Sequence, residues 1–243
     1  MILECDIGNT RCKWRVVGEG AEENRGAFDC ADGFGELPSL DGIRRVKVSS
    51  VAGSTVNEEL TRTLASAKLE IEFARTSPLK AGVENAYADA SKLGVDRWVA
   101  MIAGYNRCRG PVLILDAGSA LTVDLVAANG KHLGGYITPG IQLMKSSLLA
   151  ETDGVRFDRH NHSSGTAFGT DTASAVHAGV VAAQVGAAIV AIEEAGRKVS
   201  AGFAILLTGG DANVICTNLP ATISAEVTMV PELVLDGLQW VLP

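Results

Sequence analysis

The chain carries no surplus of positive charge. Lys and Arg total 21 against 28 Asp and Glu, a formal net charge of −7. A general binder of nucleic acid or of anionic membranes needs a positive surface to neutralise phosphates, so neither partner is expected. A single nucleotide remains admissible, because backbone N–H groups and one or two cations suffice for phosphate. Cysteine is sparse and unpatterned: Cys5, Cys12, Cys30, Cys108 and Cys216 include no C-x-x-C, which argues against a disulfide framework or a zinc site. Cys5 reads as a small apolar residue inside a strand. His160 and His162 alone are too few for a metal site, and His177 reads as a core or interface residue. No basic segment followed by an apolar one opens the sequence, so no signal peptide is expected and a cytoplasmic protein is. Neither G-x-x-x-x-G-K-[ST] nor G-x-G-x-x-G occurs, which removes the Walker loop and the dinucleotide fingerprint. There is no low-complexity segment and no Gly/Ser-rich linker.

What is present is enough apolar residue, 47%, to bury a sizeable core. The length suits one large domain or two of about 100–150 residues. Strands are expected at Met1–Asp6, Arg11–Val17, Arg44–Val51 and Leu69–Phe73. A helix is expected over Ser54–Lys68, capped by Ser54 or Thr55, and another over Leu93–Arg107. The pattern restarts at Pro111, with strands at Val112–Asp116, Ala120–Ala127 and His132–Thr138 and a helix over Ile141–Ala150. A polar stretch follows, with a mobile tip expected at Asn161–Gly165. A long Ala/Val-rich helix covers Thr172–Gly196. Its His177, Gln184, Glu193 and Glu194 mark it as a core helix rather than a membrane span. A strand at Ala204–Thr208, a short strand at Val227–Met229 and a helix at Pro231–Val241 close the chain. Mixed strands and helices imply an α/β layered fold. Two domains are expected, 1–110 and 111–243, packed around a cleft.

The two halves share a turn. "LECDIGNTRCKWRV" (Leu3–Val16) and "LILDAGSALTVDLV" (Leu113–Val126) both run an apolar strand into Asp-x-Gly-polar and then an alternating strand. Asp116, Gly118 and Ser119 fall where Asp6, Gly8 and Asn9 do. A glycine lets the backbone approach a ligand, and successive N–H groups in such a turn point at phosphate oxygens. A carboxylate at the strand end holds a cation, or the waters around Mg²⁺. Lys13 adds positive charge in the first copy, where a constant offset puts Val123 in the second. One such turn is equally well a plain hairpin whose Asp caps backbone groups; two matching turns favour a phosphate grip. "LLTGGDA" (Leu206–Ala212) adds a glycine pair after a buried strand, a weak signal by itself.

Taken in order, "DIGNT…K", "NAYADASKLGVDRW", "DAGSALTVD", "GGYITPG", "GTDTASAVHAG" and "LTGGDA" resemble the type III pantothenate kinases of the acetate and sugar kinase/Hsp70/actin superfamily. The resemblance runs from about Met1 to Asp211. It implies duplicated ribonuclease H-like (actin-like ATPase) domains, with mixed β-sheets flanked by helices. It implies ATP-dependent phosphorylation of pantothenate, the first step of coenzyme A synthesis. It further implies Mg²⁺ with ATP, a monovalent cation (K⁺ or NH₄⁺), and a homodimer with the pantothenate pocket near its interface.

Residue by residue, the resemblance makes Asp96 the general base beside the primary alcohol, although Asp96 is equally placed to cap a helix. Arg97 would fork onto the pantothenate carboxylate. Tyr87, Gly94, Val95 and Thr172 would complete the substrate contacts, with Thr172 also readable as an ordinary helix cap. Asp6, Ile7, Gly8, Asn9, Thr10, Arg11, Cys12 and Lys13 would form the first phosphate loop, with Asp6 toward Mg²⁺-bound waters. Asp116 would hold the monovalent cation, and Ser119 would contact ATP where the family usually has threonine. Gly209, Gly210 and Asp211 would lie near the adenosine. Asp124 is expected to pair with a neighbour, and Trp14 and Trp98 to pack. A non-catalytic nucleotide-binding or regulatory protein on this fold is the alternative, but it has no reason to keep Asp6, Asp96, Arg97, Asp116 and a hydroxyl at Ser119 together. A different sugar or acid kinase would not need "LGVDRW".

Overall fold

The structure, a computed structural model, describes residues 1–18, 24–67, 69–156, 165–200 and 202–243. His160, His162, Lys68 and all of the expected mobile tip except Gly165 lie outside the described residues. Two compact units emerge: Met1–Arg107 with Glu232–Pro243, and Cys108–Pro231. The closing helix therefore belongs to the first unit rather than to the half in which the sequence places it.

The first unit contains strands β1 (Ile2–Ile7), β2 (Arg11–Val17), β3 (Asn24–Asp29), β4 (Arg45–Ser50) and β5 (Glu70–Phe73), with helix α1 (Ser54–Leu64) between β4 and β5. A small hairpin, β6 (Leu79–Lys80) and β7 (Val83–Glu84), precedes helix α2 (Val95–Cys108). The sheet order is β3-β2-β1-β4-β5, antiparallel on the hairpin side and parallel from β1 to β4 to β5. Alternation in β1 decides its faces: Leu3, Cys5 and Ile7 enter a core with Val46, Val48, Leu60 and Leu64. β3 has no counterpart in the sequence reading, because "NRGAFD" carries little apolar alternation and buries only Phe28. Helix α1 is capped by Gly53 without a side-chain bond, so the expected Ser54 or Thr55 cap does not form; both residues already lie inside the helix.

The second unit contains β8 (Val112–Ala117), β9 (Ala120–Val126), β10 (His132–Pro139), α3 (Ile141–Glu151), α4 (Thr172–Lys198), β11 (Ala204–Thr208), α5 (Ala212–Asn218), α6 (Ala221–Ser224) and β12 (Val227–Met229). Its sheet, β10-β9-β8-β11-β12, repeats the first: two antiparallel pairings, then two parallel ones. Helix α4 is long and apolar enough to cross a membrane by length and composition. Its Val181, Val185, Ala188, Ala191 and Ala195 are packed into the core beneath β8, β9 and β11, which is the work of a core helix.

The last helix, α7 (Leu233–Val241), packs over β1 and β4 of the first unit. Arg15 on β2 anchors it, donating to the buried Glu4 at 2.7 Å, to Glu232 at 3.1 Å and to Asp236 at 2.6 Å. Burial raises the pKa of Glu4 above its ordinary value even though Arg15 opposes the shift.

Candidate active site

Each sheet delivers a carboxylate to a strand end. Asp6 is half-buried near the end of β1, followed by buried Ile7, half-buried Gly8 and exposed Asn9; Asp116 and Ala117 at the end of β8, with Gly118 and Ser119 in the turn that follows, repeat that sequence of exposures. Within each turn the glycine N–H is engaged, Gly8 donating to the Arg11 carbonyl at 2.9 Å and Gly118 to the Ala120 carbonyl at 3.0 Å. The first turn is one residue longer, since Ile7 pairs with Cys12 whereas Ala117 pairs with Leu121. The register therefore sets Lys13 opposite Asp6 and Thr122 opposite Asp116. Constant spacing assigns Val123 to that place, which the extra residue in the first turn corrects. Ile7 and Cys12 are fully buried, so they offer a ligand backbone only, and Arg11 leans toward Asp29 at 3.7 Å.

The second turn is buttressed from two sides. The Asp211 N–H donates to the Ala117 carbonyl at 2.9 Å, and the Gly140 N–H at the start of α3 donates to the Ser119 carbonyl at 2.9 Å. Gly209 has φ +96°, and a Cβ there would strike the Ala117 carbonyl and stand 2.6 Å from Asp116 Oδ1. The loop after β11 thus lies directly on the Asp116 strand end, while Gly210 faces open space. Sequence reasoning passed over Lys145 on α3, which is buried next to this loop and electrostatically coupled to Asp211. The available signal was a lone cation four residues after Ile141, on the face of α3 that turns inward.

The "LGVDRW" motif begins α2. The Trp98 N–H donates to the Gly94 carbonyl at 3.1 Å, and Asp96 Oδ1 accepts from the Arg97 N–H at 2.7 Å. A Cβ on Gly94 would stand 2.7 Å from Asp96 Oδ1, so glycine leaves that carboxylate its space. Asp96 is half-buried and lies in the first helical turn, where a negative charge suits the helix dipole. Arg97 is buried; its guanidinium donates to the Tyr87 hydroxyl at 3.2 Å and lies 6.0 Å from that ring's centroid. Tyr87, Gly94, Val95, Asp96 and Arg97 therefore form one local group, with a planar cation and a carboxylate side by side.

Thr172 is the first residue of α4 and is exposed, but it does not cap the helix. Asp171 does, in a capping box: its Oδ1 accepts from the Ser174 N–H at 3.0 Å while the Ser174 hydroxyl accepts from the Asp171 N–H at 3.3 Å. The Thr172 hydroxyl is thereby released from that duty. Asp124 pairs with His132, Nε2 to Oδ1 2.9 Å, both buried across the β9–β10 pair. Trp14 and Trp98 are buried packing residues.

Each turn, taken in its own unit, carries groups that fit an anionic, cation-bearing ligand: the Asp6 carboxylate with exposed Asn9 and Thr10 in the first, and the Asp116 carboxylate with exposed Ser119 and a glycine at 209 that no side chain can replace without collision in the second. The twice-repeated sheet order and these turns define a kinase-type α/β protein of the actin-like ATPase fold. Solved structures agree on the fold. A conserved protein of Campylobacter jejuni named for the Baf family of transcriptional activators superposes with TM-score 0.61 at 22% identity, covering 98% of this chain and 95% of that one. A candidate 2-dehydro-3-deoxygalactonokinase of Sinorhizobium meliloti superposes with TM-score 0.53 at 13% identity, covering 98% and 97%.

Sequence comparison narrows the class. The type III pantothenate kinase family profile matches residues 2–194. The type III pantothenate kinase of Ectopseudomonas mendocina is 37% identical over 246 residues, covering 98% of this chain and 97% of its own. The chain belongs to the type III pantothenate kinase family.

Proposed function

We propose that the protein transfers the γ-phosphoryl group of ATP to the primary alcohol of pantothenate, yielding 4′-phosphopantothenate and ADP, as the first step of coenzyme A synthesis. Family membership over nearly the whole chain supports the activity. The observation that carries the site assignment is the Tyr87–Arg97–Asp96 group at the start of α2. Arg97, held in place by Tyr87, presents a fork suited to the pantothenate carboxylate. Asp96 orients the alcohol and takes its proton as the oxygen attacks the γ-phosphorus and the bond to the β–γ bridging oxygen breaks. Gly94, Val95 and Thr172 contribute the remaining substrate contacts.

The Asp6–Lys13 turn binds ATP phosphates, and Asp6 holds waters of Mg²⁺, which when bound neutralises phosphate charge. Asp116 holds the monovalent cation, Ser119 contacts the nucleotide, and Gly209 and Gly210 pass beside the adenosine. The protein acts in the cytoplasm as a homodimer. Family resemblance supports the dimer, and exposed Val190 on α4 is compatible with a covered surface there.

The test is release of ADP from ATP, Mg²⁺ and K⁺ with and without pantothenate. Pantothenate-dependent release with formation of 4′-phosphopantothenate is expected; folded protein that binds ATP without such turnover would instead be a regulatory relative.

A further inference from the structure

Helix α3 breaks the usual hydrophobic pattern at two positions. It buries Ile141 and Lys145, leaving Lys145 2% exposed, while Leu143 is 53% exposed. Lysine is among the residues least often fully buried; here the side chain is almost wholly covered, while the ammonium itself is not among the buried polar atoms left without a partner and so keeps access to water. Among the described residues, no hydrogen bond or ion pair within 4 Å reaches the Lys145 ammonium. The charge that acts on it is the Asp211 carboxylate, and desolvation still dominates, lowering the lysine's pKa and raising that of Asp211.

Both ends of this arrangement are fastened to one place. Gly140, at the amino end of α3, is bonded to the Ser119 carbonyl, and Asp211 is bonded through its N–H to the Ala117 carbonyl. Lys145 follows Gly140 by little more than one helical turn, about 7 Å along the axis. A cation with a covered stem thus acts on Asp211, whose N–H is fixed to the Ala117–Ser119 turn, and Asp211 neutralises it only in part. A structural ion pair would be expected to close to hydrogen-bonding distance; this one does not, leaving the cation short of negative charge.

We propose that Lys145 is a phosphate-binding residue, donating to a non-bridging oxygen of the ATP polyphosphate held at the Ala117–Ser119 turn. The inference rests on the reading that this turn binds nucleotide. It gives the second unit its own cation, on a helix rather than on the strand opposite the carboxylate. The apolar stem packs beside Ile141 and the charged end meets the phosphate.

The experiment measures binding of ATP and of adenosine to the intact protein by calorimetry for Lys145→Met, Lys145→Arg and Ser119→Val, with thermal unfolding of each. Lys145→Met keeps the stem volume and should weaken ATP by about 10- to 100-fold, the scale of one hydrogen bond to a charged group. Adenosine affinity, the KM for pantothenate and Tm should hold, and Lys145→Arg should recover most of the ATP affinity. Unchanged ATP affinity in Lys145→Met, while Ser119→Val weakens ATP, overturns the role of Lys145 alone. Unchanged ATP affinity in both variants overturns the nucleotide reading of the turn as well. Equal loss of ATP and adenosine affinity with a lowered Tm shows Lys145 to be structural and also overturns the proposal.

Discussion

Asp6 on β1 and Lys13 on β2 are direct cross-strand partners. Residues so paired in an antiparallel sheet project to the same face, so a carboxylate and an ammonium flank one turn. The corresponding partner of Asp116 is the uncharged Thr122. Lys13→Met should therefore raise the KM for ATP by roughly 10- to 100-fold, with little change in the KM for pantothenate. Steady-state kinetics with each substrate varied in turn provides the check. Equal effects on both would argue against the assignment.

Asp96→Asn should lower kcat by about 10²- to 10⁴-fold, the range of a general base. The amide oxygen still accepts from the Arg97 N–H, so the start of α2 is preserved. ATP binding by calorimetry should be close to wild type. A variant that turns over at the wild-type rate would remove Asp96 from the chemistry.

If Asp116 holds a monovalent cation, replacing K⁺ by Na⁺ should depress wild-type activity, and Asp116→Asn should flatten that difference. The assay is initial rate against K⁺, NH₄⁺ and Na⁺ at constant ionic strength. Indifference of the wild type to the cation would sink the assignment.

Gly209→Ala should destabilise the protein, because φ +96° disfavours any side chain and the new Cβ meets the Ala117 carbonyl. Backbone strain of this kind costs about 1–3 kcal/mol, to which the collision adds. Gly210→Ala faces open space and should leave the unfolding free energy, read from urea titration, within about 0.5 kcal/mol of wild type. A loss of ATP affinity in Gly210→Ala, without loss of stability, would then report a close nucleotide.

Arg15→Met removes the hydrogen-bonded counter-charge of buried Glu4 and leaves it only the weaker influence of Lys47, opposite it on β4. Breaking such a pair costs about 3 kcal/mol, the low end of the usual range because Arg15 still reaches water. Burial already raises the Glu4 pKa above 4.5, and losing Arg15 raises it further. A carboxyl with a raised folded pKa favours folding below its unfolded pKa and loses that contribution as pH rises through the folded value. The deficit of Arg15→Met should thus be greatest near neutral pH and shrink toward pH 4.5. Adding Glu4→Gln should restore part of the stability at neutral pH. Urea unfolding at the two pH values measures both effects.

Strong local signals made much of the fold legible from the residues. Alternation marked β1, β2, β8 and β9, and the Asp-x-Gly turns announced the duplication. "LGVDRW" marked the start of α2, where Asp96 and Arg97 stand side by side. β3 escaped because its strand pairing comes from β2 rather than from its own weak pattern. Thr172 was legible as a helix start, but the capping belongs to Asp171, since only the position just outside the helix can present its side chain to the free N–H groups.

Taken by itself, the sequence determined the class of elements, the repeated turn and the family, because periodicity and short motifs are local properties of the chain. Tertiary structure alone decided which residues oppose one another. The extra residue in the first turn shifts the register and gives Thr122 the place opposite Asp116. Packing also pressed Gly209 onto the Asp116 strand end and drew Lys145 inward on a helix whose Leu143 faces outward. Gly209 and Asp116 are far apart along the chain, and the register of the turn and the burial of Lys145 depend on backbone pairing and packing, so periodicity alone carries none of these relations.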